Sequence, residues 1–233
     1  MAQSRSHLAP GRRRASHSME AVLTEAVALL DEAGEPALTF RALANRLGGG
    51  VASIYWYVAS KDELLDRATD HVIGAVLSEI EKLPSSEDPI HDLRDMATTL
   101  FDAIVERRWL GAYFMRNTDL QVHALRLYER FGEQTLRLQL TPQQRFHAVS
   151  AVVGVVIGSA ADMGQEPPPE VLDGAVDRDE YLHRWAQSWR QLDPEEFPFV
   201  HDIIDEFDGH DDADQFRAAL DLTLTGLRIQ AGG

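Results

Sequence analysis

Residues Thr39 to Tyr57 carry the side chains best suited to chemistry, and that chemistry is contact with nucleic acid. Val51, Ala52, Ser53, Tyr55, Trp56 and Tyr57 follow the glycine run Gly48-Gly49-Gly50 and make up a short segment whose first side chains are small or polar. Such side chains reach base edges in a major groove: Ser53 can donate to or accept from a base, and Ala52 can meet a thymine methyl. Tyr55 and Tyr57 offer hydroxyls that suit phosphate oxygens. Thr39 and Arg41 stand at the start of the preceding segment, where a positive helix N-terminus favours phosphate. Lys61 opens the next segment and adds a further phosphate partner. Core packing of a small three-helix unit is the other use open to Tyr55 and Trp56, and for Tyr55 the two uses combine.

Other reactive groupings are weaker. His201, Asp202, Asp205 and Glu206 are followed by Asp208, His210, Asp211, Asp212 and Asp214, and the four-residue step from His201 to Asp205 is metal-ligand spacing on a helix. The run lacks the glycine and glutamate positions of a calcium loop, so a solvated helix end and a cap-rich loop explain it better. Gly48-Gly49-Gly50 has neither the strand nor the lysine of a phosphate-binding loop. The nine histidines lack a nucleophile-elbow motif that would organise a serine triad. The chain has no cysteine, which excludes disulfides, thiolate zinc sites and cysteine nucleophiles. No enzyme, metal or cofactor is expected.

The elements that must position these residues are helices. Val22, Ala26, Leu29, Leu30 and Ala33 recur at helical spacing over 18–33, and Gly34 is a natural stop before Pro36. Thr39 is a plausible N-cap for a short helix with Leu43, Ala44 and Leu47 on its buried side. A third short segment spans Val51 to Tyr57. Ser60 and Glu63 form a capping box that starts a helix running to about Leu83. Helical patterns then cover 90–108, 120–140, 143–163 (behind the Thr141-Pro142 start signal), 179–190, 195–207 and 215–230, with a loop at Pro167-Pro168-Pro169 and an acidic loop at Asp208–Asp214. No alternating strand pattern of useful length occurs, so the class is all-α. Two short helices joined by a glycine-containing turn and packed on a preceding helix make a helix-turn-helix.

Charge divides the chain. Of 233 residues, 44% are hydrophobic and 26% charged, a globular balance with net charge −16. Residues 1–67 hold eight basic and eight acidic side chains, net zero; residues 68–233 hold fourteen basic and thirty acidic, net −16. That asymmetry suggests two parts with different tasks, although an acidic surface also simply serves solubility. The expected organisation is a flexible basic arm at 1–17, a helix-turn-helix domain at 18–66, and a ligand-binding and dimerisation domain at 67–233. The arm, with Arg12, Arg13 and Arg14, either contacts phosphates or is a disordered start. No apolar stretch follows those arginines, so no secretory signal is read. The longest uncharged run in the apolar centre, Phe146–Ala161, has 16 residues and falls short of the ~20 that cross a bilayer. A cytoplasmic protein without a membrane partner is expected.

The second part offers two surfaces. Ser150, Gly154, Gly158 and Ala161 form a small-residue stripe beside Val152, Val155, Val156 and Ile157, and Leu220, Leu224 and Leu227 can complete a four-helix interface between two copies. A monomer's central core helix is the alternative. A dimer holds two reading helices about 34–36 Å apart, one turn of DNA. Phe101, Phe114, Tyr128, Phe131 and Trp185, with Trp109, Tyr113 and Trp189, can wall a pocket for a mostly apolar ligand, with Met115, Asn117, His147 and Asp162 as polar or adaptable members. Filling the core is the ordinary use of any one of these aromatics.

Leu38-Thr39-Phe40-Arg41-Ala42-Leu43-Ala44, Leu47-Gly48, Ile54-Tyr55-Trp56-Tyr57-Val58 and Ser60-Lys61-Asp62-Glu63-Leu64-Leu65 resemble, in order and spacing, the DNA-binding unit of the TetR family of bacterial transcriptional regulators. Ser150-Ala151-Val152 with Gly154 and Gly158, and Phe216, Leu220 and Gly226-Leu227, look like the two dimerisation helices of the tetracycline-repressor-like branch. The resemblance implies base contacts at Arg41, Val51, Ala52, Ser53 and Tyr57, and phosphate contacts at Thr39, Tyr55, Trp56 and Lys61. It also implies a homodimer on a palindromic DNA operator, most simply a repressor, released when a small-molecule effector moves the helix 61–83. Gly50 stands where a polar cap is common, and Tyr57 where near relatives often have histidine. The segment Trp109–Met115 lacks the histidine that tetracycline-binding relatives use as a metal ligand, so no magnesium–tetracycline site is expected. The alternative is a small-molecule-binding protein or enzyme on the same helical scaffold that does not read DNA.

Overall fold

The computed structural model describes residues 17–163 and 168–232. The expected basic arm therefore lies outside the described residues except for His17, and Pro167 of the expected loop does too. Among the described residues every regular element is a helix. The chain forms two compact units that divide between Ala68 and Thr69.

The first unit contains α1 (Met19–Ala37), α2 (Phe40–Arg46), α3 (Val51–Ile54) and the start of α4 (Lys61–Ile80). Ser18 caps α1 by accepting from the Ala21 N–H at 3.0 Å, and Thr39 caps α2 by accepting from the Ala42 N–H at 3.1 Å. Each cap satisfies an amide that the helix itself cannot pair. Gly34 takes φ 69°, which costs glycine little, and the helix resumes beyond it to Ala37. The expected stop is thus a kink. Gly48, at φ 67°, turns the chain out of α2. The Glu63 N–H donates to Ser60 Oγ at 3.1 Å, while the Glu63 carboxylate accepts from the Ala59 N–H at 2.9 Å, so the capping box forms with its return arm one residue early. Val22, Ala26, Leu29, Leu30, Leu43, Ala44, Ile54, Val58, Leu64 and Leu65 are buried and make the core of this unit.

The second unit continues with the rest of α4, α5 (Pro89–Glu106), a 3-10 turn (Leu110–Ala112), α6 (Val122–Leu136), α7 (Pro142–Met163), α8 (Pro169–Leu172), α9 (Arg178–Trp189), α10 (Pro198–Asp208) and α11 (Asp212–Gly232). α7 is the centre: α5, α6 and α11 all pack against it, and α9 pairs with α10. The last helix begins three residues before the expected Gln215. Asp211 accepts from the Asp214 N–H at 2.9 Å, so the expected acidic loop is in part a helix cap and first turn. Carboxylates are favoured there by the helix dipole.

Two expectations need correction. α7 has 22 residues and a mean hydropathy of 1.6 in its most apolar window, which is long and apolar enough to cross a membrane by length and composition. The 16-residue run understated it because the helix extends past the uncharged stretch at both ends. One face of α7 (Val149, Val152, Val153, Val156 and Ala160) is buried against its neighbours, as in a core helix. Secondly, Leu220, Leu224 and Leu227 are 1%, 1% and 5% exposed within a single chain. They are spent on the chain's own core and have almost no surface left for a second copy. The open side of α11 instead carries Leu222 and Ile229, 77% and 71% exposed. Ser150, Gly154, Gly158 and Ala161 do lie on the exposed side of α7.

Candidate functional site

The segment 51–57 is held by what lies beneath it. Ile54 is fully buried and pins the single turn of α3, while Val51, Ala52, Tyr55 and Trp56 around it are exposed. Trp56 is 89% exposed, so core packing does not account for it. A large apolar ring this open marks a contact surface more often than a core position. Tyr55 does both jobs: its ring meets Phe40 edge-on at 4.8 Å, yet it stays 60% exposed. Thr39 and Arg41 are exposed beside it.

Three of the expected contact residues are already engaged. Ser53 Oγ donates to the Gly50 carbonyl at 2.6 Å, which leaves the oxygen free to accept. The Tyr57 hydroxyl donates to the His17 carbonyl. Lys61 Nζ donates to the Glu35 carbonyl at 2.9 Å and pairs with the Glu35 carboxylate at 3.1 Å, clamping the end of α1. Arg46 pairs with Glu32 and lies 3.7 Å from Glu25, and its hydrogen bond holds the Glu32 carboxyl below the usual carboxylate range. Arg67 pairs with Glu63 at 2.8 Å. Arg41 is the exposed base with no acidic partner among the described residues of this unit. Around the Ile54 anchor the arrangement presents exposed small and aromatic side chains, suited to contact with a groove.

The nine expected ligand-pocket residues differ widely in burial. Phe101 and Phe131 are core, and Phe101 stacks on Phe216 at 3.7 Å between ring centroids. Phe114 is buried and Tyr128 half-buried, while Asn117 and Asp162 are exposed. His147 is exposed on α7, on the same side as Ala151, Gly154 and Gly158, where a wall of an internal pocket cannot be. Trp185, 46% exposed, lines an open groove of about 260 Å³ with Glu170, Tyr181, Arg184 and Ser188. Met115 adopts φ 57°, a left-handed conformation that costs a non-glycine residue energy and is enriched at functional sites. The histidine–acid run 201–214 does not converge. His201 Nε2 meets the Leu192 carbonyl at 2.9 Å, and Asp205 and Asp208 pair with Arg190 at 2.7 and 3.0 Å. Among the described residues no group of three or more such side chains could hold a metal ion.

Asp70 was not among the expected site residues. It lies on α4, almost fully buried, and caps α6 from outside: Oδ1 accepts from the His123 and Ala124 N–H groups at 2.6 and 3.1 Å, and Oδ2 meets His123 Nδ1 at 2.8 Å. The His123 ring lies against Gly74, where a Cβ would come within 3.2 Å of Cγ. The available signal was an acidic residue inside the apolar stripe of α4, between Leu65 and Ile73.

A family model described as "Bacterial regulatory proteins, tetR family" matches residues 22–68, and one described as "Tetracyclin repressor-like, C-terminal domain" matches residues 83–231. An HTH-type transcriptional regulator of Saccharopolyspora erythraea is 41% identical over 95 residues, a match that spans 41% of this chain and 39% of that protein. The HTH-type transcriptional repressor DrrR1 of Streptomyces coeruleorubidus is 26% identical over 221 residues, 91% of this chain and 77% of that protein. Among solved structures, the TetR regulator SCO7222 of Streptomyces coelicolor has a TM-score of 0.77 and 34% identity, covering 92% of this chain and 99% of that one. ActR of Streptomyces coelicolor in complex with actinorhodin also has a TM-score of 0.77, with 22% identity, covering 94% of this chain and 98% of that one.

Proposed function

The chain belongs to the TetR family of bacterial transcriptional regulators, and on that premise we propose that it is a ligand-responsive repressor that binds a palindromic operator as a homodimer. The observation that carries this reading is the open surface of 51–57: Trp56 and Tyr55 stand in solvent on a buried Ile54 anchor, inside the segment that matches the family's DNA-binding region. Residues 18–66 read DNA, with Arg41, Val51, Ala52, Ser53 and Tyr57 toward bases and Thr39, Tyr55, Trp56 and Lys61 toward phosphates. Residues 67–233 bind the effector and dimerise. The exposed small residues Ser150, Gly154, Gly158 and Ala161, joined by Leu222 and Ile229, supply the apolar contact between copies.

The effector is a small, mostly apolar molecule. The ActR complex with actinorhodin supports a small-molecule effector, since that protein has the same fold. The segment between α5 and α6, with its buried Phe114 and left-handed Met115, supports a site there. An effector that displaces α6 acts on α4 through Asp70 and His123, and α4 runs from the reading unit into the second one. Release of DNA requires that the effector prefer the arrangement that does not fit the operator; tight binding alone shifts nothing. The test is a gel-shift of the full chain with the DNA upstream of its own gene, at stated salt. Retention that survives an excess of unrelated duplex supports the reading, as does its weakening in Ser53→Ala and Arg41→Ala chains that remain folded. Equal binding to the unrelated duplex overturns it.

A further inference from the structure

We propose that the groove between α8 and α9 binds a small organic ammonium cation, on residues other than those of the effector site proposed above. Tyr181, Arg184, Trp185 and Ser188 line it at the three- and four-residue steps of one helix face, and Glu170 of α8 completes the lining. Asp177 fixes the start of α9 by accepting from the Glu180 N–H at 2.7 Å. The rings of Tyr181 and Trp185 lie 6.3 Å apart and are inclined at 54°, so they are not stacked on each other. Trp185 is about half exposed, yet it is braced. Trp189 meets it edge-on at 6.1 Å and is itself stacked on Phe207 of α10 at 4.3 Å. Indole is the best aromatic partner for a cation, and a ring held in place beforehand loses little freedom when the cation arrives.

Charge selects the ligand. Residues 169–208, which hold α8, α9 and α10, carry twelve acidic and three basic side chains, a net of −9 out of the chain's −16. Such a field concentrates cations and excludes anions. The basic group of the groove is already answered: Arg184 pairs with Glu180 at 2.5 Å and reaches Glu170 at 3.5 Å. Two carboxylates to one guanidinium leave a surplus negative charge for a ligand to neutralise. All three side chains are about half exposed, and ion pairs in that setting hold weakly, so Arg184 yields readily to a second cation. Ser188 Oγ donates to the Trp185 carbonyl at 2.7 Å, which leaves that oxygen as an acceptor. The groove, about 260 Å³, falls just below the roughly 300 Å³ at which pockets for drug-sized molecules begin, so the ligand is a single ring or short chain bearing its ammonium group. A metal ion is the poorer fit, because among the described residues no group of three or more ligating side chains could hold one.

The experiment titrates the full chain into benzyltrimethylammonium and follows the ligand's N-methyl proton resonances by NMR. Protons seated on an indole face move upfield, and the movement saturates as protein is added. Trp185→Leu should remove most of that movement and weaken binding roughly two- to fivefold, while Trp185→Phe keeps part of both. Glu170→Gln should weaken binding by up to about fivefold, and by less as salt is added. Arg184→Ala should tighten it, because the competing guanidinium is gone, an effect that damage to the fold would not produce. Benzyl alcohol and benzoate, which share the ring without the positive charge, should bind more weakly to the wild-type chain. N-methyl resonances that stay in place, or that move as far with Trp185→Leu as with wild type, overturn the proposal. So does benzoate that binds more tightly than the cation and is lost in Arg184→Ala, the behaviour of an anion site.

Discussion

Replacing Asp70 by alanine removes one carboxylate that serves three donors: the His123 and Ala124 N–H groups and the His123 ring. The two amides belong to the first turn of α6, where no helical acceptor exists for them. Loss of an N-cap costs about 0.5–2 kcal/mol, and hydrogen bonds to a charged group are worth about 1.5–3 kcal/mol each. Asp70 is 8% exposed, so water replaces its bonds to the amides poorly, while the His123 ring, 41% exposed, is readily resolvated; a total of about 2–4 kcal/mol follows. At about 2–4 °C per kcal/mol for a unit of this size, Tm falls by roughly 4–16 °C. Asp70→Asn keeps an acceptor for the amides and should recover more than half of that loss. The assay is thermal unfolding of both variants by circular dichroism, with effector-induced DNA release as a second readout, which both substitutions should blunt. An Asp70→Ala chain melting within about 2 °C of wild type would refute the cap, and with it the proposed path from α6 to α4.

Three further outcomes are expected. Trp56→Ala, at an 89% exposed position, should change stability by less than about 0.5 kcal/mol yet weaken operator binding by about 0.5–1.5 kcal/mol, roughly two- to tenfold, in titrations at fixed salt. Ile54→Ala should do the reverse in origin, costing about 2–5 kcal/mol of the reading unit's stability through a cavity under α3, visible in denaturant titration. Burial raises the Asp92 carboxyl, but donation from Ser86 N–H at 2.8 Å and Arg137 Nη1 at 2.6 Å outweighs it and leaves its pKa below the ordinary value. A depressed folded-state pKa gives stability that is present above the unfolded value, about 3.9, and is lost as pH falls through the folded one. Asp92→Asn should therefore be less stable than wild type at pH 7 and converge with it in acid.

Local signals were legible in the sequence wherever one residue decides the outcome. Ser60 and Glu63 marked the start of α4, Thr39 that of α2, and the spacing of Val22, Ala26, Leu29 and Leu30 the buried side of α1. Periodicity also found the leucine stripe of α11, but periodicity states that a face is apolar and not what covers it. Leu220, Leu224 and Leu227 turned inward because α5 and α7 already stand on that side. α7 is apolar on nearly every side, so only the packed structure separates its inner valines from its outer glycines. The aromatics divided in the same way: Phe131 and Trp185 read alike in one dimension, yet one is fully buried and the other about half exposed. The Asp70 cap joins residues more than fifty positions apart, beyond the reach of any local pattern.

A hydroxyl-radical footprint of a duplex recovered by selecting random-sequence DNA on the wild-type protein, taken with the full-length chain, bears most directly on the claim that two copies of the segment 51–57 enter successive major grooves. The account predicts two protected patches on one face of the DNA, centred about 10–10.5 base pairs apart, with protection lost at both when Ser53 and Trp56 are replaced by alanine. A single patch, or a pattern that survives those substitutions, would contradict it.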